Sequence, residues 1–110
     1  MEAELKVETR TNDNEVVVIA VGEIDISNVA RFRQAIEHAE ETKSGELAID
    51  LCGVRFIDTA GLAELIVAAK RLKARGETLR VVVQDSGQPE YVLKTTGLSV
   101  ILDICYPTSN

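Results

Sequence analysis

The sequence is poor in the residues that most often carry chemistry: it has one histidine, His38, and two cysteines, Cys52 and Cys105. The cysteines have neither the spacing of metal ligands nor other ligands beside them, which indicates ordinary core or surface residues and no metal site. His38 lies off the apolar stripe of its predicted helix, which favours a solvated side chain. Gly-rich phosphate loops and Ser-His or Cys-His arrangements are also missing, so we expect neither catalysis nor a cofactor.

Long apolar runs and an excess of positive charge are missing as well. No run reaches the length of a membrane-spanning helix, and the first residues lack the basic start and apolar middle of a signal peptide. We therefore expect a cytoplasmic protein without direct membrane insertion. Lys and Arg number 12 against 18 Asp and Glu, a net charge of -6. This charge argues against nucleic acid or anionic lipid and favours a basic or mixed protein surface as the partner.

What the sequence does contain is enough apolar material for a core of its own. Hydrophobic residues make up 45% of the 110 residues and charged residues 27%, which is typical of a globular protein. The chain shows no linker and no repeat, so one domain over residues 1–110 is predicted. Residues 105–110 are expected to form a frayed tail.

Alternation and turn residues at the start of the chain predict a β-hairpin. In the segment 4–9, Leu5 and Val7 face one way and charged residues face the other, as in a half-buried or edge strand. The segment 11–14, Thr-Asn-Asp-Asn, is a turn by composition. The run 16–21 is apolar throughout and mostly β-branched, which predicts a strand near the middle of the sheet and covered on both faces.

From there on, predicted helices and strands alternate. A first helix, with Asp25 or Ser27 as its cap, is followed by strands at 47–51, 79–83 and 98–104 and by a further helix from Pro89 to Gly97. This order predicts an α/β fold with a mixed β-sheet of four to five strands and packed α-helices. The first helix is expected to bury Val29, Phe32, Ile36 and Ala39 and to expose Arg31, Arg33, Glu37, His38, Glu40 and Glu41.

The best-signalled element is a central helix that opens at Asp58 and Thr59. Both side chains can accept hydrogen bonds from the free amides of a helix start, and the apolar pair Phe56-Ile57 before them indicates the end of buried structure. The helix is expected to end with a basic last turn and the left-handed residue Gly76. Its apolar stripe consists of Leu62, Leu65, Ile66, Ala69 and Leu72.

Thr59 has two interpretations. A hydroxyl at a helix N-terminus lies where free amides and the helix dipole favour an anion, so a phosphate on Thr59 would be tolerated locally. Such a phosphate would change the surface that a partner meets. The alternative is that Thr59 is only a cap, because Ser, Thr and Asp are the ordinary capping residues.

Three motifs resemble those of the STAS domains, the family of the anti-sigma factor antagonists. They are Gly-Glu-Ile-Asp at 22–25 after a predicted strand, Asp-Thr-Ala-Gly-Leu at 58–62 at a helix start, and Thr-Thr-Gly-Leu at 95–98 before the last strand. They occur in the family's order and close to its spacing, over nearly the whole chain. The resemblance implies a single small STAS-like domain and a binding module rather than an enzyme.

The resemblance also implies a phosphorylation switch. In the best-known members, a serine/threonine kinase that is also the anti-sigma factor phosphorylates the hydroxyl directly after the motif's Asp, and a phosphatase removes the phosphate. The unmodified antagonist binds the kinase and so releases the sigma factor. On this chain the phosphoacceptor is Thr59, and Asp25, Asp58, Thr59, Ala60 and Gly61 form the partner-binding surface. Thr59 and Ala60 stand where the commonest pattern has two serines.

Three functional hypotheses follow. The favoured one is a phospho-switched antagonist of an anti-sigma factor kinase. The second is a STAS subunit of a lipid-transport ATP-binding cassette complex, in which the same surface binds an ATPase. The third is a scaffold module of a stressosome-like assembly. The last two stay open because Thr at this position also occurs in transporter-associated and stressosome-like STAS proteins.

Overall fold

The computed structural model describes residues 3–43 and 45–107, and within them the chain forms five strands and three α-helices. The order β-β-α-β-α-β-α-β confirms the predicted α/β class. A short 3₁₀ turn, Leu98–Val100, precedes the last strand. The elements are β1 Leu5–Thr11, β2 Glu15–Ile24, α1 Val29–Thr42, β3 Glu46–Ile57, α2 Thr59–Ala74, β4 Leu79–Val82, α3 Gln88–Thr95 and β5 Leu102–Cys105.

The strands lie side by side in chain order, β1-β2-β3-β4-β5, and form one mixed sheet. β1 and β2 are antiparallel, and the other neighbours are parallel. The predicted hairpin turn is built by Asn12, whose Oδ1 accepts the backbone N–H groups of Asn14 at 2.8 Å and Glu15 at 2.9 Å. A side chain that binds its own turn in this way explains why the Asn-Asp-Asn sequence fixes the hairpin.

β2 is covered on one face only, which corrects the prediction that both faces are buried. Val16, Val18 and Ala20 are at most 1% exposed, whereas Val21, from the opposite face, is 44% exposed. Parallel connections are almost always right-handed, so three successive ones that cross the sheet in the same direction place all their helices on one side. The open side carries β1 residues Lys6, Glu8 and Arg10, which pair with Val21, Ile19 and Val17.

The helices bury the faces that the sequence predicts, with one exception on α1. Leu62, Leu65, Ala69 and Leu72 of α2 lie in the core, and Ile66 is half-buried; α1 buries Val29, Phe32, Ile36 and Ala39. Glu40 was expected to face solvent, but its side chain is only 8% exposed. Arg71 of α2 reaches it with two nitrogens, the closer at 2.6 Å, so an ion pair between the helices covers this carboxylate.

Two strand predictions are corrected in extent. β3 runs on to Ile57 instead of ending at Leu51, and Phe56 near its end is 45% exposed rather than buried. The last strand is only Leu102–Cys105, because Gly97, with φ of 75°, turns the chain into the 3₁₀ turn first. The periodicity of so short an apolar run cannot distinguish a turn from a strand.

The first residues of the C-terminal segment are more ordered than predicted, and α2 ends where the sequence predicts. Two residues expected in a frayed tail are held in the fold: Cys105 ends β5, and the Tyr106 hydroxyl donates to Glu90. The rest of that segment from 108 on lies outside the described residues. α2 ends as predicted, with Gly76 at φ 75° and the N–H of Glu77 bound to the carbonyl of Leu72 at 2.9 Å.

Candidate functional site

The candidate site lies where β2 and β3 end together. Ile24 and Ile57, the last residues of the two strands, are paired, and the N–H of Asp58 donates to the carbonyl of Ile24 at 3.0 Å. Asp25 and Asp58 therefore leave the sheet side by side. The two loops that carry the residues implied for partner binding are therefore neighbours at the carboxyl edge of the parallel strands, where α/β proteins usually bind their ligands.

Asp58 is the cap of α2, and Thr59 is its first helical residue. The Oδ1 of Asp58 accepts the backbone N–H groups of Ala60 at 2.9 Å and Gly61 at 3.2 Å. Thr59 is exposed, and its hydroxyl makes no hydrogen bond to the part of the chain that the structure describes. Of the two side chains that the sequence offers as caps of α2, Asp58 therefore caps the helix and Thr59 does not.

Gly61 lies under the site rather than on its surface. It is buried, and a Cβ atom built on it would lie 2.6 Å from the Cγ1 of Ile57 and 2.8 Å from the Cγ2 of Ile24. The first turn of α2 can rest on the two strand ends only because residue 61 has no side chain. Ala60 beside it is half-buried. A direct role of Ala60 and Gly61 in partner binding stays a prediction.

The Asp25 loop is held in place by a buried amide side chain, Asn28, that the sequence does not predict. Asn28 is 2% exposed; its Nδ2 donates to the carbonyls of Ala3 and Glu23, and its Oδ1 accepts the N–H of Asp25 at 3.0 Å. Asn28 also occupies the position before α1, so the prediction that Asp25 or Ser27 caps this helix is wrong. The Oδ1 of Asp25 instead accepts the N–H of Ser27 at 2.9 Å.

A second amide side chain holds the end of β3. The Oε1 of Gln88 accepts the N–H of Ile57 at 3.0 Å, and its Nε2 donates to the carbonyl of Ile57 at 3.0 Å. Gln88 is the first residue of α3, and nothing in the sequence links it to a residue 31 positions earlier. Such a contact can be found only from coordinates.

The Asp25 loop also carries an exposed apolar residue. Ile26 follows Asp25 in the loop and is 78% exposed. The loop around it is held by the hydrogen bonds of Asn28 and Asp25. Ile26 therefore adds an exposed apolar group directly next to Asp25 in the chain.

His38, Cys52 and Cys105 lie on other elements than the two loops of the candidate site. His38 is exposed on α1, and burial, with Asp50 adding to it, raises the pKa of the Cys52 thiol to about 12. Burial also raises the pKa of Cys105. Both thiols are therefore poor nucleophiles at neutral pH. Within residues 3–43 and 45–107 no cluster of His, Cys, Asp and Glu could hold a metal ion, and no helix there could cross a membrane.

A mixed, mostly parallel sheet with its helices on one side, and a central helix that opens with a capping Asp followed by an exposed Thr, agree with a STAS domain. Residues 7–103 match the family model described as "Mlab, STAS domain", and the chain belongs to the STAS domain family.

Two relatives carry the names of sigma-factor regulators. The chain is similar to the anti-sigma-B factor antagonist of Listeria monocytogenes, with 30% identity over 104 residues that cover 94% of this chain and 90% of the relative. It is also 36% identical over 97 residues to Rv2638 of Mycobacterium tuberculosis, named as a candidate anti-anti-sigma factor. That match covers 84% of this chain and 63% of Rv2638, so the chain spans less than two thirds of that relative.

A solved structure agrees with this assignment. The crystal structure of an anti-sigma factor antagonist from Mycobacterium paratuberculosis superposes with a TM-score of 0.85 at 27% identity. The superposition covers 96% of this chain and 87% of the other. The fold and the family are therefore those that the three sequence motifs predict.

Proposed function

We propose that this chain is an anti-sigma factor antagonist that binds an anti-sigma serine/threonine kinase while Thr59 is unmodified and loses that partner when Thr59 carries a phosphate. In this proposal the chain is a cytoplasmic binding module and not an enzyme, and a serine/threonine phosphatase returns it to the binding form. The names of the relatives support the antagonist role. Thr59 is the phosphoacceptor that the STAS resemblance implies, and the geometry of the site supports this choice.

The observation that carries the proposal is the separation of roles between Asp58 and Thr59. Because Asp58 accepts from both Ala60 and Gly61, the helix start is capped without any help from the Thr59 hydroxyl. Thr59 is exposed at the N-terminus of α2, a helix of 16 residues. Its oxygen is therefore open to a kinase, and the helix dipole favours the anion that phosphorylation would leave there.

The proposed switch is a simple group transfer. The kinase moves the γ-phosphoryl group of ATP to the Oγ of Thr59; the bond from that phosphorus to ADP breaks, and the hydroxyl proton passes to a base on the kinase or to water. The phosphatase later hydrolyses the ester with water. The phosphate brings roughly -1.5 to -2 charge next to Asp58 and Asp25, on a chain of net charge -6.

The unmodified surface suggests what the partner presents. Asp25 and Asp58 favour a basic contact, and Ile26, 78% exposed, favours an apolar pocket beside it. The neutral Thr59 hydroxyl between such groups can be covered at little cost. A phosphate in the same place would have to be desolvated or pushed aside, and either effect weakens the complex.

Mass spectrometry of the chain after incubation with its cognate kinase and ATP tests the proposal. We expect one added phosphate on the wild type, located at Thr59, and none on Thr59→Ala. Thr78→Ala, which removes an exposed hydroxyl at the opposite edge of the sheet, is the control and should be labelled like the wild type. An unlabelled wild type, or a Thr59→Ala variant labelled equally well, would remove Thr59 from the switch.

A second function is kept because the matching family description, "Mlab, STAS domain", names no antagonist role. In this alternative the surface around Thr59 binds the ATPase of a lipid-transport ATP-binding cassette complex. The two functions differ in the partner that the surface selects. Affinity capture on the wild type, compared with Thr59→Glu, separates them: a kinase lost with Thr59→Glu supports the first function, and a transporter ATPase supports the second.

A further inference from the structure

β3 extends well past its pairing with β4. The last pair that the two strands share is Asp50 with Val82, whereas β3 continues to Ile57. On the other side, β3 stays paired with β2 up to Ile24 and Ile57. The end of β3 thus has a strand on one side only, and the backbone groups of Ile57 that point the other way need a different partner.

Gln88 supplies that partner with its side chain. Its amide accepts from the N–H of Ile57 and donates to the carbonyl of the same residue, each at 3.0 Å. A side-chain amide offers the same donor and acceptor as a backbone peptide group, so Gln88 completes the sheet where β4 has ended. Ile57 is 1% exposed, which means that water cannot readily replace the lost bonds.

The start of α3, which carries Gln88, is itself held in place. Glu90 is 7% exposed, and its carboxylate accepts the N–H of Ser86 at 2.8 Å and the hydroxyl of Tyr106, with Lys94 at 3.1 Å. Leu93 anchors the same helix in the core. Gln88 therefore extends from a fixed support and not from a mobile loop.

The residue that Gln88 holds leads directly into the candidate site. Ile57 is followed by Asp58, whose N–H binds the carbonyl of Ile24 and whose carboxylate caps α2. Gln88 on one side and Ile24 on the other thus fix the peptide planes from which Thr59 extends. A rotation of these planes would move the Thr59 hydroxyl and the cap together.

We propose that Gln88 is a positioning residue for the Thr59 site. Through the backbone of Ile57 it orients the first turn of α2, so that the Thr59 hydroxyl meets the partner and the phosphate donor in one defined direction. The expected effect of Gln88 on phosphorylation rests on the proposed function of Thr59. The effect of Gln88 on the position of Ile57 and of the α2 cap does not rest on it, and can be tested without any partner.

Two substitutions and one control isolate the amide. Gln88→Ala removes both bonds. Gln88→Glu keeps the shape, but its ionised carboxylate has no donor and faces the carbonyl of Ile57 with a negative oxygen; once protonated, it again offers one donor and one acceptor. Gln84→Ala is the control, because Gln84 is exposed in the loop just before α3 and contributes there through its backbone carbonyl, which accepts the N–H of Gly87.

The first measurement is amide hydrogen exchange by NMR, with each variant compared with the wild type at the same pH. At pH 7 we expect the amide of Ile57 to exchange at least about tenfold faster in both variants, and the amide signals of Ala60 and Gly61 to shift. Near pH 4 we expect Gln88→Glu, but not Gln88→Ala, to return toward the wild type as its carboxyl group takes up a proton. A loss of general stability would not produce this difference between the two variants.

The second measurement is the rate at which the cognate kinase phosphorylates Thr59. Misplacing a reacting group costs on the order of tenfold or more, so both variants should be labelled at least about tenfold more slowly than Gln84→Ala. Wild-type labelling rates in Gln88→Ala, or unchanged signals for Ala60 and Gly61, would overturn the positioning role. If the wild type itself is never labelled, the proposed function fails, and the signals of Ala60 and Gly61 still decide whether Gln88 orients the helix start.

Discussion

Asp58 donates its backbone N–H to the carbonyl oxygen of Ile24 over 3.0 Å, and this bond joins the two loops of the candidate site. The bond continues the pairing of Ile24 with Ile57, so the sheet fixes where Asp25 and Asp58 lie relative to each other. Side chains on the two loops can then vary without a change in the support beneath them. A binding surface on a rigid sheet edge is how such folds change partner while they keep one architecture.

Gly61→Ala should disturb the site from below. The new methyl group would lie 2.6 Å from Ile57 and 2.8 Å from Ile24, closer than carbon atoms can approach. Overpacking of this kind costs about 1–3 kcal/mol, and here it must lift the first turn of α2. We expect the free energy of unfolding, measured with urea, to fall by that amount and phosphorylation of Thr59 to slow.

Gly76→Ala is the matched control for this substitution. A methyl group on Gly76 meets nothing within 4 Å, but its φ of +75° disfavours alanine. The same chemical change at the other end of α2 should therefore cost about 1 kcal/mol through backbone strain. It should leave phosphorylation of Thr59 unchanged. Equal effects of the two variants on phosphorylation would show that stability, and not local packing at Gly61, governs the site.

Leu65→Ala tests the packing of α2 against the sheet. Leu65 is 0% exposed in the middle of the helix, and removing such a side chain costs about 2–5 kcal/mol, a large part of the stability of a small domain. Val67, two residues on, is 44% exposed. Val67→Ala should therefore change the unfolding free energy by about 0.5 kcal/mol or less. Urea unfolding of both variants checks this, and similar losses would contradict the assigned helix face.

The sequence predicts α2 well because its signals are local. Asp58 as a cap, a stripe of period 3.6 and Gly76 as a stop all lie within one element, and each has a physical effect on its own neighbours. The adjacency of the Asp25 and Asp58 loops is implied by the STAS resemblance, which puts both residues on one partner-binding surface.

The parts that could not be predicted depend on contacts between distant segments. Asn28 binds Ala3 and Gln88 binds Ile57, and an amide side chain gives no sign in the sequence of which backbone group it will meet. β2 is buried on one face because the three helical connections all lie on the same side of the sheet. A run of β-branched residues occurs in strands covered on one face and on both, so the sequence of β2 could not decide between them. Glu40 looked solvated because its partner, Arg71, lies on another helix.

Asp25 should affect binding more than folding. Its carboxylate accepts from Ser27 in an exposed loop, and asparagine keeps an oxygen in that position while it removes the charge. We expect calorimetry to show weaker partner binding for Asp25→Asn, which removes the charge, and a larger loss for Asp25→Lys, which reverses it. The thermal midpoint of Asp25→Asn should remain close to the wild type. If instead the midpoint fell sharply and binding was retained, Asp25 would be a structural residue only.

Cys52 should be almost inert in the folded protein. Burial, and then Asp50, raises its pKa to about 12, so at pH 8 the folded chain holds the thiol protonated, whereas the unfolded chain has an ordinary thiolate fraction. In a Cys105→Ser background, we expect iodoacetamide to react on the order of a thousandfold more slowly with the native chain than with the chain in urea. Asp50→Asn should raise the native rate. Equal rates in native and urea-unfolded protein would contradict the raised pKa.

Thr59→Glu should separate the proposed switch from a plain helix start. The substitution adds a negative charge beside Asp58, where the N-terminus of α2 tolerates it, so the unfolding free energy should stay within about 0.5 kcal/mol of the wild type. The partner, however, meets a charge where it expects a neutral hydroxyl, and a penalty of about 1.4 kcal/mol already weakens binding tenfold. We therefore expect calorimetry with the kinase to show at least about tenfold weaker binding for Thr59→Glu, and wild-type affinity for Thr59→Ala.

The control is Val67→Glu, which places the same charge on an exposed position of α2 away from the site and should bind like the wild type. Tight binding by Thr59→Glu, or an equal loss with Val67→Glu, would show that charge at Thr59 does not control the partner.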